Sequence, residues 1–294
     1  MEHVVAVDIG GTKLATAVVD SQGTILAEAM SPTEGADAQA LFDVVVDLVD
    51  AVVTKAAVSE ASLLACGVGS GGPMARFGET VSPLNIEQWR EFPLKRGLAD
   101  HLGLPTWLDN DGKALALGEG WLGAARGKAN FMSMVVSTGV GGGIVLDGRL
   151  LDGQDGNAGH IGHLIVEPDG RQCGCGAFGC LEAEASGTAI AAITGRDPAE
   201  ADDDMKRRTG TLVGRGVASV CNLLDLELVC VAGSVALGYG DLFFDAAQTE
   251  LTARARIGHA RGSRIVVGGL AANGPLIGAA AVAWRGLGHD IGVL

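Results

Sequence analysis

The 294-residue sequence predicts an α/β protein with two similar domains facing a cleft, and three observations carry that prediction. A strand meander followed by βα units occurs near the N-terminus and again after residue 130, and each copy opens on a Gly-rich turn behind a buried strand. Hydrophobic residues make up 48% of the chain and aromatics only 4%, enough apolar material for a large core. Glycine reaches 46 residues, which favours many tight loops between short elements. The expected division is residues 1–114 for the first domain, joined by the C-terminal helix 275–294, and 115–274 for a larger second domain.

Taken in order, residues 3–8, 14–20 and 23–29 read as three short strands, the last two joined by Ser21-Gln22-Gly23. Leu41, Val44, Val45, Leu48 and Val52 recur at helical spacing and predict a helix over 37–56. A buried strand at 63–68 precedes an irregular stretch through Pro83. A helix at 91–102, a strand at 105–108 and a helix at 112–122 complete the first unit. The second begins with a strand at 131–136 and a hairpin around Asp147-Gly148. Helices at 183–193 and 205–225, a strand at 227–232, a helix at 239–256, a strand at 263–267 and a final helix from about 275 follow.

Composition excludes several function classes. A net charge of −14 leaves no basic footprint for nucleic acid, and Lys206, Arg207 and Arg208 read as a solvated helix face behind the acidic ADDD. The first residues, MEHVVAVDIGG, have no basic n-region and enter a strand pattern directly, so a cytoplasmic protein without a signal peptide is expected. No apolar run is long enough for a membrane span. Cys66, Cys221 and Cys230 lie scattered in apolar contexts and read as buried core thiols.

Three G-x-G-x-x-G matches start at Gly67, Gly118 and Gly174, but chance alone predicts about one in a chain this glycine-rich. None sits between a strand and a helix, so a dinucleotide fold is rejected. The stretch VVAVDIGGTK is more informative. Asp8 ends an apolar strand, and a carboxylate there is costly unless a cation needs it. Gly10, Gly11, Thr12 and Lys13 follow, fitting either a metal–phosphate site or a tight hairpin turn. STGVGGG offers a second such loop through Thr138 and Gly139. Two loops from two domains could hold a triphosphate and its Mg²⁺ between them. Gly233, after a third strand, suits an adenine lying against backbone.

LDND, residues 108–111, ends a strand before a helix. Asn110 can orient a hydroxyl and Asp111 can accept its proton, although an Asn or Asp there also serves as an ordinary helix cap. In AGHIGHLIVEPDGRQCGCGAFGCLE, residues 158–182, His163, Cys173, Cys175 and Cys180 supply one imidazole and three thiolates, a tetrahedral zinc set with no open position. Such a zinc is expected to be structural and to fix the flanking His160 and Glu182.

Together DIGGTK, LNIEQW, LDNDGKALALGE, VSTGVGGGI, AGHIGH, CGCGAFGCLE and GPLIGAA resemble the ROK family of bacterial sugar kinases, over nearly the whole chain. The resemblance implies an actin-like ATPase (ribonuclease H-like) fold, a homodimer and ATP-dependent phosphorylation of a sugar 6-hydroxyl. It assigns Mg·ATP to Asp8, Gly10, Gly11, Thr12, Lys13, Thr138, Gly139 and Gly233, and proton abstraction to Asp111. Gly71, Asn85, Asn110, His160, His163 and Glu182 match sugar-binding positions, with His163 joining zinc to substrate. Most glucose-directed members carry Glu where this chain has His160. An imidazole can also donate a hydrogen bond, as an acetamido carbonyl would require. The AGHIGH form resembles most the N-acetylmannosamine kinases, and that sugar is the expectation, with a glucokinase or broad hexose kinase as the alternative. The family's sugar-responsive repressors carry a helix-turn-helix ahead of the sugar domain, for which Asp8 leaves no room. A non-catalytic sugar-binding regulator would be expected to lose Asp111.

Overall fold

In the computed structural model, which describes residues 2–294, the chain opens with the predicted meander. β1 (His3–Ile9) pairs antiparallel with β2 (Lys13–Asp20), and β2 with β3 (Ile25–Pro32). The Asp20 carboxylate closes the second turn by accepting from the Gln22 and Thr24 N–H groups. Asp37 caps α1 (Ala38–Ala56), which lays Leu41, Val45, Val49 and Val52 against the sheet. β4 (Leu63–Ser70) joins β1 in parallel. A small hairpin of β5 (Met74–Ala75) and β6 (Thr80–Val81) follows, then α2 (Leu94–Leu102), β7 (Thr106–Asn110) and α3 (Asp111–Trp121).

The second half repeats this plan. β8 (Phe131–Val136), β9 (Val140–Leu146) and β10 (Arg149–Leu150) form an antiparallel meander. The helices α4 (Leu181–Ala185), α5 (Gly187–Thr194) and α6 (Asp203–Leu224) lead to β11 (Leu228–Ala232). α7 (Ser234–Tyr239), α8 (Asp241–Arg254), β12 (Arg264–Val267) and α9 (Gly274–Gly286) complete the chain. The two five-stranded sheets run β3-β2-β1-β4-β7 and β10-β9-β8-β11-β12, the same order twice. Among the described residues no helix is long and apolar enough to cross a membrane.

Three apolar clusters hold these layers. α1 and α2 cover the outer face of the first sheet, and α4 to α8 cover the outer face of the second. Between the sheets lie α3 and α9. β1 is therefore buried on both faces, with Val5, Val7 and Ile9 toward α1, and Val4 and Ala6 toward α9. That is why it reads as a continuous apolar run instead of an alternation. Strand parity then puts Asp8 on the α3–α9 face, at the carboxyl end where crevices form in α/β sheets. α9 needs its small residues because backbones meet there. A Cβ on Gly67 would stand 2.0 Å from the Ala279 carbonyl oxygen, and one on Gly278 2.6 Å from that of Ala114.

Several expected elements are corrected. The helix over 183–193 is two helices, because Ser186 adopts extended backbone and turns its side chain to cap α5 at the Ala189 N–H. The helix over 239–256 starts earlier, at Ser234, and breaks at Gly240, whose φ of 56° and ψ of −140° no helix can contain. α2 starts at Leu94 because Phe92 exchanges backbone hydrogen bonds with Val81. Arg208 is not part of a solvated face, since it reaches the buried Glu184, whereas Arg207 pairs with Asp203 and Asp204 at the surface. Cys66, Cys221 and Cys230 are free and buried, as expected.

Candidate active site

The site forms where β7 turns into α3. Asn110 has extended backbone, and its side-chain oxygen accepts from the Gly112 N–H at 3.0 Å, so the capping role is realised. Its amide nitrogen remains for other partners and lies 3.5 Å from the Ser70 carbonyl oxygen. Asp111 occupies the first helical position, where the helix dipole favours negative charge. Its Oδ1 accepts from the Gly112 N–H at 2.7 Å. Burial nevertheless holds Asp111 above the usual carboxylate range, opposed by that N–H group and by His160, and reinforced by Glu182. Asp8 is pushed up to about 7, first by burial and then by the charge of Asp111, while Lys13 pulls the other way. Among the described residues no hydrogen bond offsets the Asp8 shift. Two carboxyls close enough for one to raise the other suit a shared cation.

The first glycine loop is a tight hairpin turn, closed by the Gly10 N–H on the Lys13 carbonyl at 3.0 Å and held by the Thr33 hydroxyl on the Gly10 carbonyl at 2.7 Å. Lys13 opens β2 and is exposed. The second turn spans Ser137, Thr138 and Gly139. It is fixed by the Gly187 N–H on the Ser137 carbonyl and by the Thr188 hydroxyl on the Thr138 carbonyl. The Glu182 carboxylate accepts from the Val140 N–H at 2.9 Å beside it. Asn85 stands between the loops: a Cβ on Gly11 would lie 2.7 Å from the Asn85 Cβ, and one on Gly139 3.5 Å from its Nδ2.

Gly142 and Gly143 have a packing purpose that a phosphate loop would not require, whereas a Cβ on Gly141 would meet only Asp111 Oδ1, at 3.5 Å. All three belong to β9, which crosses the first turn of α3 at backbone contact. A Cβ on Gly112 would stand 2.3 Å from the Gly142 nitrogen, and one on Gly143 2.6 Å from the Lys113 Cα. Gly233 likewise has a packing reason of its own, since a Cβ there would meet the Val136 carbonyl oxygen at 2.4 Å. Gly71 is under no such constraint, with only Pro83 at 3.6 Å.

His160 faces the Asp111 side of the cleft from the second lobe. Its Nδ1 lies 2.9 Å from the Asn157 carbonyl oxygen, and its Nε2 points toward Gly72 and the Asn110 amide. A carbonyl can only accept, so Nδ1 carries the proton and the Nε2 of the neutral ring is an acceptor. With Nδ1 so engaged, the nitrogen facing the cleft can donate only when the ring is cationic, and this bears on the donor role expected of His160. The His163 ring lies nearly parallel to it, 6.1 Å away between centroids.

His163, Cys173, Cys175 and Cys180 converge, with all four ligand atoms within 4.8 Å of one another. Cys175 Sγ and Cys180 Sγ are 3.8 Å apart, and Cys173 Sγ is 3.7 Å from His163 Nδ1. Zn–S bonds of about 2.3 Å at tetrahedral angles demand S···S edges of about 3.8 Å, so the donor set fits zinc. Burial and the neighbouring thiols push Cys180 up to about 12, a cost that a divalent cation would remove. The loop has a further anchor in Glu184, which accepts from the Arg171 N–H at 2.6 Å and pairs with the Arg171 and Arg208 guanidinium groups.

Two buried charges behind the site were missed by sequence reasoning. Lys113 pairs with Asp109 and Asp152. Glu119 accepts from the N–H groups of Ala124, Gly269 and Leu270. The only available signal was a charged residue inside the apolar run NDGKALALGEG, and such a residue is more often exposed.

A model of the ROK family matches residues 4–285. The chain is 37% identical over 252 residues to an N-acetylmannosamine kinase of Yersinia pestis (strain Pestoides F), covering 81% of this chain and 84% of that one. It is 36% identical over 243 residues to a glucokinase of Halalkalibacterium halodurans, covering 80% and 73%. The crystal structure of a ROK family glucokinase from Streptomyces griseus in complex with glucose and AMPPNP superposes with a TM-score of 0.84 at 30% identity, covering 96% and 99%.

Proposed function

This chain belongs to the ROK family, and from that premise we propose that it transfers the terminal phosphoryl group of ATP to the 6-hydroxyl of a hexose held between Asp111 and His160. Its duplicated sheets are the actin-like ATPase arrangement. The observation that carries the reading is the raised carboxyl of Asp111 at the start of α3, flanked by Asp8, Glu182 and His160. Asp111 takes the proton from the hydroxyl as its oxygen bonds to the γ-phosphorus and the bond to ADP breaks in line. A base raised toward the working pH suits that transfer, because it gains driving force for accepting the proton. Asp8 would hold Mg²⁺, which when bound neutralises charge on the nucleotide phosphates. Zinc would fix the loop that carries His163, so that Glu182 and the second glycine turn keep their places.

His160 decides the sugar. With its Nδ1–H held by the Asn157 carbonyl, the Nε2 of an uncharged ring accepts, as the carboxylate of glucose-directed relatives would, and this favours a hexose with a free hydroxyl facing it. N-acetylmannosamine is the second reading, favoured by the likeness to the Yersinia pestis enzyme. Steady-state kinetics on glucose, mannose, N-acetylglucosamine and N-acetylmannosamine separate the two. The first reading expects the highest kcat/KM for glucose or mannose, and a clear preference for N-acetylmannosamine overturns it. Phosphorylation of none of the four, in freshly purified protein with Mg·ATP, removes the kinase itself.

A further inference from the structure

Lys113 is 1% exposed at its side chain, on the first turn of α3. Its ammonium has three donors, and all three are spent. One goes to Asp109 Oδ1 at 2.8 Å, one to Asp152 Oδ1 at 2.7 Å and one to the Gly156 carbonyl at 3.1 Å. Asp109 sits on β7 directly before Asn110 and Asp111. Asp152 and Gly156 belong to the segment 152–157, which comes from the second half of the chain. That segment ends on Asn157, whose carbonyl receives the His160 Nδ1–H. The Asn157 side chain also grips the β5–β6 hairpin at both polar atoms of Met74, accepting from its N–H at 3.0 Å and donating to its carbonyl at 2.8 Å. The second carboxylate oxygen of Asp152 lies 3.8 Å from Arg285 of α9.

Burying an ammonium is costly, and an apolar side chain of similar volume usually serves stability as well or better. The three-way contact does something an apolar side chain could not: it joins the helix that carries Asp111 to the segment whose last residue, Asn157, orients His160 through its carbonyl. We propose that Lys113 is a positioning residue, setting both the ring orientation of His160 and its distance from Asp111 through Asp152 and the segment 152–157. The catalytic meaning of that spacing rests on the reading of the site as a sugar kinase, whereas the effect on the His160 ring does not.

The test uses ¹⁵N-labelled full-length protein, with long-range ¹H–¹⁵N spectra of the imidazoles and His160 assigned by the signal lost in His160→Gln. Asp152→Asn is the principal variant. It weakens one arm of the contact at a partly exposed side chain and leaves the buried Lys113–Asp109 pair intact. Lys113→Met is the second, judged only if circular dichroism shows it folded. The wild-type ring is expected to carry its proton on Nδ1 alone, and Asp152→Asn to give a mixture of tautomers. Sugar KM should rise about tenfold in that variant while kcat and the ATP KM stay within about threefold, the signature of a displaced binding group. Unchanged His160 spectra and sugar KM in Asp152→Asn overturn the proposal. So does an equal loss in kcat/KM for sugar and for ATP with an unaltered tautomer, which is what a purely structural residue would produce. If wild-type protein phosphorylates no sugar yet Asp152→Asn still shifts the tautomer, the kinase reading falls and the positioning role stands.

Discussion

Replacing Asp8 by Asn should make the nucleotide-free protein more stable, and the gain should grow with pH. The Asp8 carboxyl moves from an unfolded value of 3.8 to about 7 in the fold, because it is half-buried and desolvated beside Asp111. An acid raised on folding binds its proton more tightly in the native state, so its ionisation erodes stability as pH rises. The erosion is absent below the unfolded value and complete above the folded one. At about 1.36 kcal/mol per unit, a shift of this size amounts to about 4 kcal/mol. Roughly 2.5 kcal/mol of that accrues between about pH 5 and about pH 8. Because the charge of Asp111 is one of the causes, part of the gain belongs to the pair and not to Asp8 alone. Urea unfolding of both proteins without Mg²⁺ or nucleotide, at several pH values across that range, measures it. Wild type should lose stability relative to Asp8→Asn toward high pH, and Mg·ATP should rescue wild type but not the variant. Parallel pH profiles would refute the reasoning, since Asp8 could not then be a desolvated carboxylate waiting for a cation.

Asp111→Asn should lower kcat by roughly 10²- to 10⁴-fold while sugar binding, followed by calorimetry, changes only a few-fold. Cys175→Ser should reduce zinc from about one equivalent per chain toward zero in elemental analysis, and hydrogen exchange should quicken over residues 163–182. Gly112→Ala should cost about 1–3 kcal/mol of stability in urea unfolding, because its Cβ would stand 2.3 Å from the Gly142 nitrogen.

The parts legible in advance were those where one residue's chemistry dictates its surroundings. β1 could be recognised because a strand covered on both faces needs apolar side chains throughout. The Cys₃His set was legible because three thiols within eight residues serve ligation far better than packing. Elsewhere the outcome depends on what comes close in space. A run of glycines admits an anion and a neighbouring backbone equally well, so the closeness of β9 to α3 looked like a longer phosphate loop. The helix breaks at Ser186 and Gly240 interrupt apolar periodicities that would otherwise run on. The His160 tautomer is set by a carbonyl whose position only the folded 152–157 segment reveals. Lys113 gave no signal of its own in the sequence, because its three acceptors come together only in the fold.

The crossing of α3 and β9 also limits how this protein can change. Elsewhere in a core, an enlarged residue can be rescued by trimming the side chain it strikes. At positions 112 and 143 the neighbours include main-chain atoms and the Lys113 Cα, which no substitution can shorten. A methyl group introduced on either side of that crossing must move a strand or a helix, and Asp111 would move with it. Second-site suppressors of Gly112→Ala should therefore be sought among residues that let β9 shift as a unit, not among those facing residue 112 directly.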